Sequence, residues 1–354
     1  MYLKIVIIIA TVGVLTAQPQ TAESQVKSIS ELKIVKTLLT EAESAQYRSR
    51  GKSPTGAYRI EREQSGRNFS YSIVNNKSGV KHTPTVPGDI NGISWPESED
   101  RIAFNVTRIP VGNRKFTGAV GVYFFDDKST NIFRRDEYVL MNSRISPDGK
   151  MIVCTGSGFG KGKIIVIDIA SGNLNIITDI VSDSPTWVPN SNKVVFVQYF
   201  DVGHQQLILA DLETGENFEI VKSRYSIDFV ISPDGKRVLF SSPKDLQLIL
   251  YIIGIDGTDL REITSIHNSG LYRLRWSPSG RYFSYERPVI RGHHERTVAS
   301  EIYLYDLKTR TERQITNNPG ALHNVIKWGT DDRIVIRSKV NNVKIHESYK
   351  IGRW

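Results

Sequence analysis

Cysteine is nearly missing from this chain. Cys154 is alone among 354 residues, which excludes an intramolecular disulfide and any zinc site built on several thiolates. The apolar run Ile5–Leu15 behind Lys4 is 11 residues long, too short to cross a bilayer by itself, since a span takes about 20. No cysteine follows that run, so a lipoprotein attachment point is lacking. A G-x-S-x-G pentapeptide is absent, which removes the nucleophile elbow of α/β hydrolases. The glycine-rich stretch Gly156–Gly162 has no helix after it to receive a phosphate and reads as a loop between strands.

What the chain does contain is a repeat. In register, ISWPESEDRIAF, RISPDGKMIVC, PTWVPNSNKVVF, VISPDGKRVLF, LRWSPSGRYFSY and IKWGTDDRIVI place a bulky apolar residue at the entry of a turn. These anchors are Trp95, Ile145, Trp187, Ile231, Trp276 and Trp328, spaced by 50, 42, 44, 45 and 52 residues. A second apolar slot follows nine residues later, at Phe104, Cys154, Phe196, Phe240 and Tyr285, with Ile336 one place early in the last copy. Cys154 fills a slot that holds an aromatic ring in most copies, so it is a core residue.

The turn chemistry explains the recurrence. In Ser-Pro-Asp-Gly, proline fixes φ, the aspartate bonds backbone amides, and glycine takes the left-handed conformation at least cost. An apolar strand follows each turn, and most copies then carry a second hairpin, such as KIIVIDIASGNLNIIT or QLILADLETGENFEIV. Two hairpins per repeat make four strands, and a period of 40 to 50 residues on that unit is the signature of a β-propeller. Six copies predict an all-β, six-bladed propeller of four-stranded blades over residues 57–354. The last copy ends at HESYKIGRW, short of a second hairpin, while an unclaimed one, FSYSIVNNKSGVKHTP, precedes the first anchor. Strands from both termini are therefore expected to complete one blade, which would remove exposed edges.

Two pieces precede the repeats. Residues 1–22 have the charged, apolar and small-residue regions of a secretory signal, with cleavage after Ala17 or Ala22, which predicts a periplasmic or secreted protein. Residues 23–56 are expected to hold one short helix over Ser28–Arg50. Ser28 and Glu31 are spaced as a capping box, and Ile29, Leu32, Val35, Leu38, Leu39 and Ala42 share a face.

With the ISPDGK and WSPSGRY turns and the DIASGN, DLETGE and GIDGTDLREIT hairpins in view, the chain resembles the TolB propeller family and its WD-like repeats. The resemblance covers residues 57–354 and implies the fold, since the same repeat serves scaffolds, peptidase propeller domains and lyases. Oligogalacturonate lyases are similar propellers that hold a metal with histidines. That resemblance implies an alternative, a metal-dependent lyase or hydrolase acting on acidic polysaccharide.

In a propeller, second-to-third-strand loops and blade-to-blade connections share one face. His204, His293 and His294 fall in the former and His267 and His323 in the latter, so five of seven histidines map to that face. Both connection histidines precede asparagine, in SIHNSG and ALHNVI. Arg108, Arg114, Lys115, Lys161, Lys163, Arg287, Arg291 and Arg296 belong to the same loops. The expected ligand face is thus Arg108, Arg114, Lys115, His204, His267, Arg291, His293, His294 and His323. Neutral imidazoles among His204, His267, His293, His294 and His323 would supply a divalent metal in the enzyme alternative.

The formal net charge is +9, and Arg101–Lys163 carries 11 basic against 5 acidic residues. Such a bias favours an anionic glycan or an acidic protein as partner. Nucleic acid is not expected, because no recognition motif accompanies the charge. The leading expectation is a non-enzymatic binding or scaffold module without a cofactor. Sequons at Asn68, Asn76 and Asn105 matter only if the host glycosylates exported chains.

Overall fold

The computed structural model describes residues 6–7, 32–39 and 53–353, apart from short stretches at 66–67, 112–113, 159–160, 225–226, 245–246, 268–271, 292–296, 319, 331–332 and 342. These residues form antiparallel strands and no helix. Two compact units are present, Ser49–His267 and a second made of Met1–Arg48 with Asn268–Trp354.

The first unit holds five meanders. One is three-stranded, Tyr58–Ser65, Asn68–Asn75 and Lys81–His82. The second meander is Asp89–Ser94, Arg101–Val111, Arg114–Phe124 and Thr130–Phe133. Val139–Ile145, Met151–Gly158, Lys161–Asp168 and Leu174–Ile176 make the third, and Ser182–Trp187, Lys193–Asp201, His204–Asp211 and Asn217–Ser223 the fourth. Asp228–Ile231, Arg237–Lys244, Gln247–Gly254 and Arg261–His267 close the unit.

The turns behave as their chemistry requires. Ser146 N donates to Met151 O (2.8 Å), Met151 N donates to Ser146 Oγ (2.9 Å), and Gly149 takes φ +74°. Ser53-Pro54-Thr55-Gly56 repeats this pattern: Ser53 N to Tyr58 O at 3.1 Å, Tyr58 N to Ser53 Oγ at 3.0 Å, and Gly56 at φ +82°. It is a seventh copy of the turn, and the expected six four-stranded units are corrected to seven meanders among the described residues, one of them three-stranded. The sequence hid it because Lys52 occupies the anchor slot in place of an apolar residue.

Apolar residues on the second strands fill the core as expected. Phe104, Cys154, Phe196, Phe240, Tyr285 and Ile336 are all buried. Ala103, Val120 and Val122 of the second meander pack with Leu140, Ile145, Ile152 and Cys154 of the third, so neighbouring sheets share one apolar layer. Trp187 reaches back to the preceding meander, its Nε1 donating to Arg144 O (2.8 Å). Asn105 is also buried and accepts Ser143 N at 2.9 Å, so its sequon is inaccessible in the fold.

First strands carry a bulge. Register shifts fall between Asn91 and Ser94, Met141 and Arg144, Asp183 and Thr186, Tyr272 and Arg275, and Val325 and Lys327. Gly92, Asn142, Ser184 and Arg273 take positive φ at these points. A bulge removes amides from the ladder, and each needs another acceptor.

The second unit has two meanders. Tyr272–Trp276, Tyr282–Arg291, Thr297–Asp306 and Thr311–Gln314 form one. Leu322–Thr330, Arg333–Val340 and Val343–Arg353 begin the other, joined to the first at the single parallel pair Ser300↔Leu322. The fourth strand of this last meander is Leu32–Leu38, which runs antiparallel to Val343–Arg353 from Leu32↔Arg353 to Leu38↔Glu347, with Val6–Ile7 at its outer edge.

Both termini therefore build one meander, but not with the expected segment. The hairpin at Asn68–His82 belongs to its own sheet, and Leu32–Leu38 lies inside the span expected as helix. The helix is corrected to a strand over these residues, while 28–31 and 40–50 lie outside the described residues. The physical reason is the open edge of Val343–Arg353, whose unpaired backbone is satisfied by a β-branched stretch such as Ile34-Val35.

Candidate functional site

Of the basic loop residues named from the sequence, the three with described side chains, Arg108, Lys163 and Arg287, each meet a carboxylate. Arg108, exposed at φ +58°, meets Asp89 (3.2 Å). Arg101 meets Asp100 (2.5 Å), Arg134 meets Asp136 (3.0 Å) and Lys163 meets Asp179 (2.7 Å). Three of these partners, Asp89, Asp100 and Asp179, lie outside the Arg101–Lys163 window, so the charge counted along the chain is offset in space. Arg287 is tied to Glu312 and lies over the Tyr303 ring at 4.2 Å.

Other expected site residues are placed by backbone alone. Arg114 pairs with Val111 at the start of its strand, Lys115 follows it, Arg291 pairs with Thr297, and His267 pairs with Gln247. Nothing is described of these side chains, and His293, His294 and Arg296 lie outside the described residues. His204 is half-buried beside Phe200, with ring centroids 5.6 Å apart and Nδ1 3.9 Å from Asp201 Oδ2. Among the described residues no group of three His, Cys, Asp or Glu side chains gathers for a metal.

His323 is different, because it is built into a network. It lies on Leu322–Thr330, is 2 % exposed, and its Nδ1 is 2.8 Å from Ser338 Oγ on the paired strand. Ser338 donates onward to Glu347 Oε2 (2.8 Å), so its oxygen accepts a hydrogen bond from the Nδ1–H. Burial first of all holds the imidazole below its ordinary pKa, against the pull of Glu301 and Glu347, and leaves it neutral. The lone pair then sits on Nε2, which is buried, finds no hydrogen-bond donor among the described residues, and lies 3.7 Å from Glu301 Oε2, with the Asn318 backbone also acting on the ring.

The two carboxylates are held firmly. Glu301 accepts Asn318 N (2.7 Å) and the Thr316 hydroxyl, and Thr316 Oγ1 accepts Ile302 N (2.9 Å). Glu347 accepts the Tyr349 hydroxyl (3.0 Å) and pairs with Lys36 Nζ (2.5 Å), which also lies over the Tyr349 ring at 5.8 Å. Burial and the neighbouring Glu347 push the Tyr349 phenol up, so it stays a donor. Two carboxylates, one ammonium and one neutral imidazole leave a surplus negative charge facing an unused lone pair. That arrangement accepts hydrogen bonds and offers none at Nε2.

This network floors a cleft of about 450 Å³. Thr316, Asn317 and Asn318 come from the connection between meanders, and Val340 from the end of a second strand. Both belong to the loop classes expected to share the ligand face. Arg313, Gln314, Ile315 and Ile345 also line the cleft, so amide and hydroxyl groups stand beside an apolar wall.

The sequence flagged His323 and missed its partners. Lys36, Glu301, Thr316, Ser338, Glu347 and Tyr349 come from segments joined only by strand register. The signal available was the charge: Glu301 in VASEIYLY and Glu347 in KIHESYKI interrupt otherwise strand-like sequence, and buried acids are rare unless paired.

Residues 99–288, more than half of the chain, match the model of the TolB beta propeller domain. Among solved structures, an oligogalacturonate lyase in complex with manganese matches with TM-score 0.60 and 12% identity, over 86% of this chain and 89% of that one. The Cps50 (Swd1) β-propeller domain of Myceliophteria thermophila matches with TM-score 0.54 and 11% identity, over 85% and 95%. TolB from Acinetobacter baumannii matches at 0.45 and 14%, over 83% and 79%. At these identities the likeness to the lyase and to the Cps50 domain is one of fold.

Proposed function

Because the chain belongs to the TolB β-propeller domain family, we propose that it is an exported, non-enzymatic binding module whose cleft beside His323 takes a glycan. The observation that carries this reading is the unpartnered Nε2 of the buried imidazole that lines the cleft beside the bonded Glu301 carboxylate. A buried acceptor left without a donor costs about 1–3 kcal/mol, and a sugar hydroxyl entering the cleft would supply that donor. The amide-rich lining of Gln314, Asn317 and Asn318 suits further hydroxyls. A protein partner is the competing choice for the loop face, where docking would bury about 800 Å² on each side.

Binding of an oligosaccharide panel to the full chain, followed by calorimetry, tests the idea. A bound sugar should lose at least tenfold in affinity in His323→Ala, about the worth of one buried hydrogen bond. Equal affinity in the variant, or no sugar bound by the wild type, contradicts it. The same lone pair supports a second reading, a metal-dependent enzyme on acidic polysaccharide. Stoichiometric divalent metal that disappears in His323→Ala would favour that reading over the binding module.

A further inference from the structure

His323 and Asn324 are neighbours in one strand and so face opposite sides of their sheet. On the Asn324 side the chemistry is inverted. Arg273 Nη1 donates to Asn324 Oδ1 at 2.8 Å and Arg337 Nη2 donates to the same oxygen at 3.1 Å. Two guanidiniums thus converge on one neutral acceptor, and Arg275, two residues along the strand from Arg273, bears with them on Glu286.

Elsewhere in this unit arginines meet carboxylates: Arg281 pairs with Asp306 (2.8 Å) and Arg287 with Glu312 (3.4 Å). Among the described residues Arg273, Arg275 and Arg337 have no carboxylate within ion-pair distance. Glu286 is close enough to feel them and accepts Val325 N (3.3 Å) and Asn324 Nδ2 (3.4 Å). It is 3 % exposed, and burial pushes its carboxyl up to about 7 in spite of the three positive charges. Three cations therefore share at most one negative charge, with Arg273 and Arg275 open to solvent.

Guanidiniums held side by side bind planar or tetrahedral oxoanions through paired N–H donors. Asn324 supplies the holding: one buried amide oxygen fixes two guanidiniums near one another and leaves their remaining donors available. We propose that Arg273, Arg275 and Arg337 form a site for the carboxylate or sulfate of an acidic sugar, with Asn324 as the residue that positions them. This inference rests on the glycan reading and adds to it, on the other side of the sheet from His323, a second contact for sugars that carry oxoanions.

The test uses the full chain, a heparin-derived tetrasaccharide, inorganic sulfate and a neutral cello-oligosaccharide, each titrated by calorimetry into wild type and variants. Arg273→Gln with Arg275→Gln should lower affinity for the tetrasaccharide at least tenfold, while the charge-matched pair Lys150→Gln with Lys236→Gln lowers it less than twofold. Should the double variant fail to fold, Arg337→Lys carries the same test, because it keeps the charge and loses the fork. Equal losses in the two charge-matched variants would mean diffuse attraction to a basic protein and overturn the site, as would a wild type that ignores both the tetrasaccharide and sulfate. Loss of sulfate heat in the arginine variants alone supports the oxoanion site even if the sugar backbone is the wrong one. If the neutral oligosaccharide binds and the acidic one does not, the oxoanion site falls and the glycan reading stands. If no probe binds, both fall.

Discussion

Asn105 and Glu286 occupy the same place in two different meanders, and they do the same backbone task with different chemistry. Each follows the apolar anchor of a second strand, Phe104 in one case and Tyr285 in the other. Each accepts an amide freed by the bulge in the next meander's first strand, Ser143 N for Asn105 and Val325 N for Glu286. The fold asks only for an acceptor, and a neutral amide provides it at 2.9 Å. Glu286 provides it at 3.3 Å, buries a carboxyl in doing so, and brings three arginines into its field. What exceeds the needs of the fold in the second case is where a ligand should be sought.

Four changes would break or sharpen that comparison. The largest effect should come from Phe104 and Tyr285, which fill the same buried slot nine residues after the turn anchor. Phe104→Ala and Tyr285→Ala should each cost about 3–5 kcal/mol by chemical denaturation. A loss confined to one of them would mean that the two places are not alike.

Next comes the acid itself. The Glu286 carboxyl is raised to about 7 in the fold from 4.5 unfolded, so the native state binds the extra proton between those values. Stability from this group is therefore fully present below pH 4.5 and falls as pH rises to about 7, by on the order of 3 kcal/mol. Urea midpoints measured from pH 5 to 8 should decline in the wild type and decline less in Glu286→Gln. Parallel curves would show that the buried carboxyl does not titrate as described.

Asn105→Ala is a smaller perturbation. It leaves Ser143 N without its acceptor and should cost about 1–3 kcal/mol, independent of pH over that same range. A pH-dependent loss there would remove the contrast with Glu286. Smallest of all is the turn glycine. Gly56→Ala and Gly149→Ala both force alanine to positive φ, at a cost of about 1–2 kcal/mol each. Nothing crowds a Cβ at Gly56, so its cost is purely that of the backbone. A neutral Gly56→Ala would argue that Ser53–Gly56 is not a seventh copy of the turn.

Much of this architecture was legible before any coordinates. Four tryptophans in one slot and the Ser-Pro-x-Gly turns placed the hairpins, because turn chemistry is local and leaves its mark on adjacent residues. Lys52 concealed one copy by breaking the apolar rule at its anchor. Leu32–Leu38 was misread because its apolar residues fit a helical period and its β-branched residues fit a strand. Only the unsatisfied edge of Val343–Arg353 decides between them, and that edge lies more than 300 residues away in sequence. The His323 network was invisible for the same reason. Ser338 meets His323 through register, and Lys36 reaches Glu347 through the terminal strand. The convergence of Arg273 and Arg337 on Asn324 likewise joins three separate strands, two of them bulged.

The central claim is that His323 meets a ligand with its unpartnered nitrogen, and nitrogen-15 NMR of the imidazole reads this directly. The free protein should show a neutral ring protonated at Nδ1, with Nε2 in the unprotonated chemical-shift range, and saturating a bound oligosaccharide should move the Nε2 signal as a sugar hydroxyl donates to it. An Nε2 signal that stays fixed while the sugar binds elsewhere on the protein would contradict the account.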